Sequence, residues 1–153
     1  MPSELVQRQK KDILRDISSF GSLVFYLFLL AIALVLKKGD LFARMVAGLI
    51  LIYFITLILR TVYFKNRPVK FSYSSYIEKL DASSFPSLHA SRTAFLGSEL
   101  SKYFGNPIFT AIMVVLILAI ACTRVYLRKH DFIDVSAGIV LGILVYFGVN
   151  FLL

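Results

Sequence analysis

Four long apolar runs dominate the sequence and limit the folds open to it. They cover residues 20–36, 41–59, 108–125 and 132–153, and only Arg44, Arg124 and Asp134 carry charge within them. At about 1.5 Å of rise per residue, a helix of about 20 residues crosses a hydrocarbon core of roughly 30 Å. Because backbone polar groups in lipid must pair within the segment, such runs are expected to be helical. An all-α, multi-pass integral membrane bundle is predicted.

A fifth segment, residues 87–104, is apolar at helical spacing but contains His89, Arg92, Glu99 and Lys102. Charged side chains are costly to expose to lipid, so this segment is predicted to be a helix buried by its neighbours. The total is about five membrane-spanning helices in a single domain over residues 1–153. In the last run, Gly138 and Gly142 form a GxxxG pattern that indicates close helix packing.

Residues 1–19 are charged, with apolar residues recurring at roughly helical spacing. This pattern predicts an amphipathic helix on the membrane surface, the alternative being a frayed leader. The apolar run that follows ends in lysines rather than in a small-residue cleavage site, which favours a retained span over a signal peptide. Residues 69–84 are polar with interleaved Phe71, Tyr73 and Tyr76, a pattern that predicts an interfacial loop.

The chain is strongly basic, with 17 Lys and Arg against 9 Asp and Glu. Beside apolar spans, this balance favours anionic membrane lipids or a phosphorylated substrate as partners and argues against nucleic acid. One cysteine and two histidines exclude an intramolecular disulfide and a structural zinc site, and no metal or cofactor is predicted. The oligomeric state stays open.

Three short polar motifs interrupt the apolar pattern, and counting spans places all of them on one membrane face. They are RTVYFKNRP with Arg60 and Arg67, PSLH with Ser87, Leu88 and His89, and TRVYLRKHDFID with Arg124, His130 and Asp134. Taken singly, each has an ordinary structural explanation: a topology anchor, a helix cap and a local helical pair.

Together, in this order and spacing, the motifs resemble the signature of the type 2 phosphatidic acid phosphatase superfamily, the membrane relatives of vanadium haloperoxidases. The resemblance covers residues 60–134. Three positions depart from it: Arg60 stands for the usual Lys, Leu88 for the usual Gly, and Thr123 for the usual Ser. The Leu88 side chain is expected to crowd the pocket while leaving its backbone N–H available.

The same residues suit phosphoryl transfer on physical grounds. Arg60, Arg67 and Arg124 supply planar guanidinium groups matched to phosphate oxygens. Pro86 in the first turn of a helix is expected to leave the backbone donors of Ser87, Leu88 and His89 pointing at an anion, which the helix dipole favours.

The two histidines are expected to have different roles in the reaction, one as the nucleophile and one as the acid and base. His130 and Asp134, at i and i+4, are expected to share a helix face, with the carboxylate holding one ring nitrogen and the other nitrogen attacking phosphorus. The resemblance implies that His89 protonates the leaving oxygen and later activates water. No metal is needed, since the arginines neutralise the phosphate charge.

The expected activity is hydrolysis of a lipid phosphate monoester or pyrophosphate, with phosphatidic acid-like, phosphatidylglycerophosphate-like and polyprenyl pyrophosphate lipids as candidates. One alternative is a headgroup transferase, since PSLHA also resembles inositol phosphorylceramide synthases. Another is a transporter or a lipid-binding scaffold. Excess positive charge on the motif face predicts a cytoplasmic site, whereas many relatives place theirs on the opposite face.

Overall fold

The computed structural model describes residues 4–69 and 74–153, and within those ranges every regular element is an α-helix. The prediction of an all-α fold is therefore confirmed for the described residues. In chain order the helices are α1 (Glu4–Ser19), α2 (Leu23–Val35), α3 (Gly39–Val62), α4 (Tyr76–Ala82), α5 (Leu88–Phe104), α6 (Pro107–Tyr126) and α7 (Phe132–Leu152).

Three described helices, α3, α6 and α7, are long and apolar enough to cross a membrane on their own. Helices α1 and α2 pass the same test only as a pair bent by 40°. The first apolar run thus forms a helix of only 13 residues, because the chain turns at residues 20–22 and the Ser22 hydroxyl caps α2 by accepting from the N–H of Phe25. By length and composition the described spans number three, or four with the bent pair, against about five predicted.

Helix α5 lies at the centre of the bundle and packs against α7, α6 and α3. A Cβ atom on Gly138 of α7 would lie 2.6 Å from the carbonyl oxygen of Ser87, and one on Gly142 would collide with the carbonyl oxygen of Ser91. The GxxxG pattern therefore lets α7 approach α5 closely, as predicted.

Arg92 and Glu99 of α5 are buried by neighbouring helices, as the sequence predicted, whereas His89 is partly buried and Lys102 is exposed. Glu99 is fully buried, lies 3.3 Å from the Arg44 guanidinium of α3 and accepts from the Asn150 amide of α7. Arg92 donates to the carbonyl oxygen of Gly21 at 2.9 and 3.1 Å and to the Tyr53 hydroxyl at 2.7 Å. These contacts tie the α1–α2 turn and α3 to the central helix.

The amphipathic helix predicted at the N-terminus is present as α1, with residues 1–3 outside the described residues. It packs against α6. The loop prediction for residues 69–84 is wrong over residues 76–82, which form α4. A capping box explains the helix: the Ser75 hydroxyl accepts from the N–H of Glu78, whose carboxylate accepts from the N–H of Ser75. Phe71 and Tyr73 lie outside the described residues, as does the side chain of Tyr76.

Candidate active site

The three polar motifs meet at one end of the bundle. Arg60 in the last turn of α3 donates to the carbonyl oxygen of Pro86 at 3.4 Å, just before α5. The N–H of Ser87 donates to the carbonyl oxygen of Asp134 in α7 at 3.0 Å. The N–H of His130 lies 3.3 Å from the carbonyl oxygen of Arg124, at the end of α6. Residues separated by as many as 74 positions in the chain thus share one small region.

Each of the three motif arginines is anchored by a neutral oxygen. Arg60 donates to the carbonyl oxygen of Leu80 at 3.0 Å, and Arg67 donates to that of Asp81 at 2.6 Å. Arg124 donates to the hydroxyl of Ser18 in α1 at 3.0 Å. These neutral partners fix the orientation of each guanidinium in the cluster without cancelling its charge. Arg60 also lies 3.9 Å from the carboxylate of Asp81, which is largely exposed to solvent.

Three buried polar atoms in this cluster have no hydrogen-bond partner in the described structure: Arg60 Nε, Ser87 Oγ and Arg124 Nε. They come from three different helix ends, and two of them are cationic donors. A buried polar group without a partner is costly, so this set indicates an anionic ligand with several acceptor oxygens.

The N-terminus of α5 differs in detail from the expected anion cradle. Pro86 precedes the helix, Ser87 is the N-cap and Leu88 is the first helical residue. Because the N–H of Ser87 is already bonded to Asp134, its hydroxyl is the group left for a ligand. The Leu88 side chain, expected to crowd the pocket, packs against the hydrophobic core instead.

His130 lies one residue before the N-cap of α7, so it does not share a helix with Asp134 as the sequence predicted. Its Nδ1 is 2.8 Å from the carbonyl oxygen of Ser84 and 3.6 Å from Asp134 Oδ2. A carbonyl oxygen can only accept, so Nδ1 carries the proton and the lone pair resides on Nε2. The nearest group orienting the ring is therefore a backbone carbonyl that the sequence does not reveal.

Burial lowers the pKa of the His130 imidazole below its usual value. The positive charges of Arg124 and Arg67 lower this pKa further, while Asp134 and the bond to Ser84 oppose the shift. His130 is thus neutral at pH 7, the form that a nucleophile requires.

Sequence reasoning missed Lys65, which it counted only among the basic residues of the motif face. Its Nζ lies 2.6 Å from Asp131 Oδ2 and 2.8 Å from Asp134 Oδ1. Burial acts to lower the pKa of Lys65, but the hydrogen bonds to the two carboxylates outweigh it and raise that pKa. The one sequence signal for a role of Lys65 was its position within the first motif, two residues before Arg67.

His89 lies in the first turn of α5 and interacts electrostatically with Arg124 and His130. It lines a cavity of about 980 Å³ that is also bordered by Arg124 and by residues of α1. His130 is not among the described residues that border that cavity. Within residues 4–69 and 74–153, no group of three or more His, Cys, Asp or Glu side chains is placed to hold a metal ion.

A profile described as the PAP2 superfamily matches residues 41–151. The chain belongs to the PAP2 superfamily. The matched residues include all three motifs and exclude α1 and α2, so the site motifs lie within the family region while the N-terminal helix pair precedes it. No curated protein matches the chain in sequence.

Two solved structures share the fold of this PAP2 chain. The crystal structure of Aquifex aeolicus LpxE superposes with a TM-score of 0.76 at 18% identity, over 93% of this chain and 86% of that one. A transmembrane PAP2 type phosphatidylglycerolphosphate phosphatase from Bacillus subtilis gives a TM-score of 0.65 at 23% identity, over 94% of this chain and 76% of that one. These likenesses confirm the helical-bundle fold. The three described helices that are long and apolar enough to cross a membrane support an integral membrane protein.

Proposed function

We propose that this PAP2 protein is a membrane lipid phosphatase that hydrolyses a phosphate monoester or pyrophosphate through a phosphohistidine at His130. The observation that carries the proposal is the set of buried, unpartnered polar atoms Arg60 Nε, Ser87 Oγ and Arg124 Nε. Phosphoryl transfer depends chiefly on positioning and on stabilising charge at the phosphate oxygens, and these groups are preorganised to do both.

In the first step, Nε2 of His130 attacks phosphorus. A P–N bond forms as the bond from phosphorus to the leaving oxygen breaks, and protonated His89 transfers its proton to that oxygen. The negative charge of bound phosphate favours the protonated form of His89. The ring of His130 becomes cationic, and the carbonyl oxygen of Ser84 and the carboxylate of Asp134 stabilise it through Nδ1.

In the second step, neutral His89 removes a proton from water as the water oxygen attacks phosphorus. The P–N bond breaks, inorganic phosphate leaves and both histidines return to their starting states. Arg60, Arg67 and Arg124 take the charge-neutralising role throughout, which supports a reaction without metal. Leu88 contributes through its backbone N–H at the start of α5.

The substrate class follows from the membrane setting. A site at the end of apolar helices is reached from the bilayer, so candidate substrates are phosphatidic acid-like, phosphatidylglycerophosphate-like and polyprenyl pyrophosphate lipids. The fold shared with the Bacillus subtilis phosphatidylglycerolphosphate phosphatase supports this class.

We place the site on the cytoplasmic face. The cations on its side, apart from the motif arginines and Arg92, are Arg8, Lys10, Lys11, Arg15, Lys65, Lys70, Lys79, Arg128 and Lys129, of which Lys70 lies outside the described residues. The opposite side has Lys37, Lys38, Arg44 and Lys102. Positive charge is enriched in cytoplasmic loops, which supports this orientation.

The test is phosphate release by the purified protein from a panel of lipid phosphates in excess EDTA, with His130→Ala as the control. Release by the natural chain and none by His130→Ala is expected. Transfer of the headgroup to an added alcohol without free phosphate would identify a transferase. Activity that EDTA abolishes and magnesium restores would overturn the metal-independent mechanism.

A further inference from the structure

The cavity beside His89 carries more positive charge than one phosphate needs. Besides Arg124, its lining includes four cations to which the motifs assign no role: Lys11 and Arg15 of α1, and Arg128 and Lys129 of the turn between α6 and α7. No carboxylate is among the described residues that line it. Arg15 also pairs with Asp12 at 3.3 Å, but both side chains of that pair are largely exposed to solvent, where such a pair is weak.

The position of the cavity relative to the two histidines assigns it a role, provided that the proposed function holds. In an in-line displacement the nucleophile and the leaving group lie on opposite sides of phosphorus. His89, which protonates the leaving oxygen, lines the cavity, whereas His130 does not. The leaving group therefore lies in the cavity, on the side formed by α1.

We infer that this cavity binds a second anionic group on the leaving-group side of the substrate, held by Lys11, Arg15, Arg128 and Lys129. The ligand class is a lipid with a further phosphate or phosphodiester between its chain and the phosphate that is removed. A lipid with a single phosphate would bring no second anionic group to these four cations.

An apolar cleft next to the cavity has the position expected for the chain of that lipid. It measures about 590 Å³, lies between α1 and α6, and is lined by Ile13, Leu14, Ile17 and Cys122 among others. Tyr126 borders both the cleft and the basic cavity, so the two are adjacent. A lipid can thus place its anionic part in the cavity while its chain follows the apolar face of α1 into the bilayer.

The first test compares two lipids with the same chains, a diacylglycerol phosphate and a lipid with an added phosphodiester before the terminal phosphate. Lys11→Gln and Arg15→Gln should each lower kcat/KM for the second lipid about threefold to tenfold and change the first lipid far less. The matched control is Arg8→Gln, which removes the same charge from α1 at a residue that does not line the cavity.

An equal effect of all three variants on both lipids would indicate surface attraction alone and overturn the inference. Phosphate release from both lipids with an unchanged preference in Lys11→Gln and Arg15→Gln would overturn it while leaving the proposed function intact. Absence of release from either lipid by the natural chain would overturn the proposed function and this inference with it.

The second test uses Cys122, the single cysteine of the chain, which is exposed and lines the cleft. A bulky maleimide on Cys122 should slow hydrolysis of the long-chain lipid and spare nitrophenyl phosphate, which has no chain. Cys122→Ala should be insensitive to the reagent. Equal slowing of both substrates by the label would place the chain elsewhere and contradict the α1–α6 route.

Discussion

Lys65 Nζ lies 2.8 Å from Asp134 Oδ1, and this contact joins the segment after α3 to the first turn of α7. The backbone of Lys65 makes a second link, because its carbonyl oxygen accepts from the N–H of Ser84 at 2.8 Å. Ser84 and Asp134 are the two groups nearest to Nδ1 of His130. One residue outside the motif positions therefore holds both groups that orient the proposed nucleophile.

Replacing Lys65 with Met should lower kcat about tenfold to a hundredfold with little change in KM, because the partners of His130 would be displaced. Asp134 is fully buried, so losing its cation should also cost about 1–3 kcal/mol of folding stability, since Lys65 is partly screened by solvent. Steady-state kinetics and thermal unfolding measure the two effects. Arg8→Met, which removes an exposed charge from α1, is the control. A change confined to KM would contradict the positioning role.

Alanine variants of the two histidines should differ in how phosphoenzyme formation depends on the leaving group of the substrate. His130→Ala should form no phosphoenzyme with any substrate, since the nucleophile is absent. His89→Ala should be impaired most with lipid alkoxides and partly rescued by nitrophenyl phosphate, whose leaving group needs no proton. Asp134→Asn should fall between the two. Rapid labelling with a neutral or alkaline workup and peptide mapping checks this, and a label mapped to His89 would reverse the assignment.

The pH dependence should reflect the lowered pKa of His130. The ring should stay neutral as the pH falls through 6.5, where a histidine in water is half protonated, and should bind its proton only at lower pH. The acid limb of kcat/KM should therefore lie below pH 6.5. Below pH 6.5 the unfolded chain binds a proton at His130 that the folded protein does not yet bind. The contribution of His130 to the free energy of unfolding is therefore full above pH 6.5 and is lost as the pH falls. NMR titration of His130 measures the pKa directly. Arg124→Gln should raise it by removing a nearby positive charge, and an unchanged titration would contradict that cause.

Close packing of α7 on α5 should be needed for both stability and activity. Gly138→Ala places a methyl group against the carbonyl oxygen of Ser87, the residue whose N–H bonds to Asp134. The overpacking should cost about 1–3 kcal/mol and reduce activity. Gly148→Ala in the same helix meets nothing within 4 Å and serves as the control. Equal thermal unfolding of the two variants in detergent would contradict the proposed packing role.

Cysteine labelling in intact cells tests the orientation. Ile77 in α4 is 78% exposed and lies on the side of the site, so Ile77→Cys in a Cys122→Ala background provides a reporter. With a cytoplasmic site, an impermeant maleimide should react only after permeabilisation. Ready modification in intact cells would place the site on the opposite face.

Residues 76–82 show where a local signal was sufficient but overlooked. The Ser75 and Glu78 capping box is readable from the spacing of the two residues, yet the polar, aromatic-rich composition of the segment favoured a loop. The apolar run at residues 20–36 shows the reverse case. Its composition predicts a complete span, whereas the Ser22 cap and the Arg92 bonds to Gly21 place a bend at its start.

The sequence by itself determined the membrane-embedded helical class and the identity of the three motifs. Apolar runs report helices in lipid because no other local structure satisfies the backbone there. The order and spacing of Arg60, Arg67, Ser87, His89, Arg124, His130 and Asp134 carry the family resemblance, and the match over residues 41–151 confirms the family.

Only the tertiary structure decided which groups surround His130 and what borders the leaving-group side. The carbonyl oxygen of Ser84 is 46 residues away in sequence and the Lys65 ammonium is 69 residues from Asp134. Every residue has a backbone carbonyl, so the residue type does not show which carbonyl will orient a side chain. A lysine at the end of a span has the same sequence context whether it sets the membrane orientation or supports a site. Helical periodicity records which face a residue occupies, whereas the packing of α1 against α6 and of α7 against α5 determines what that face meets.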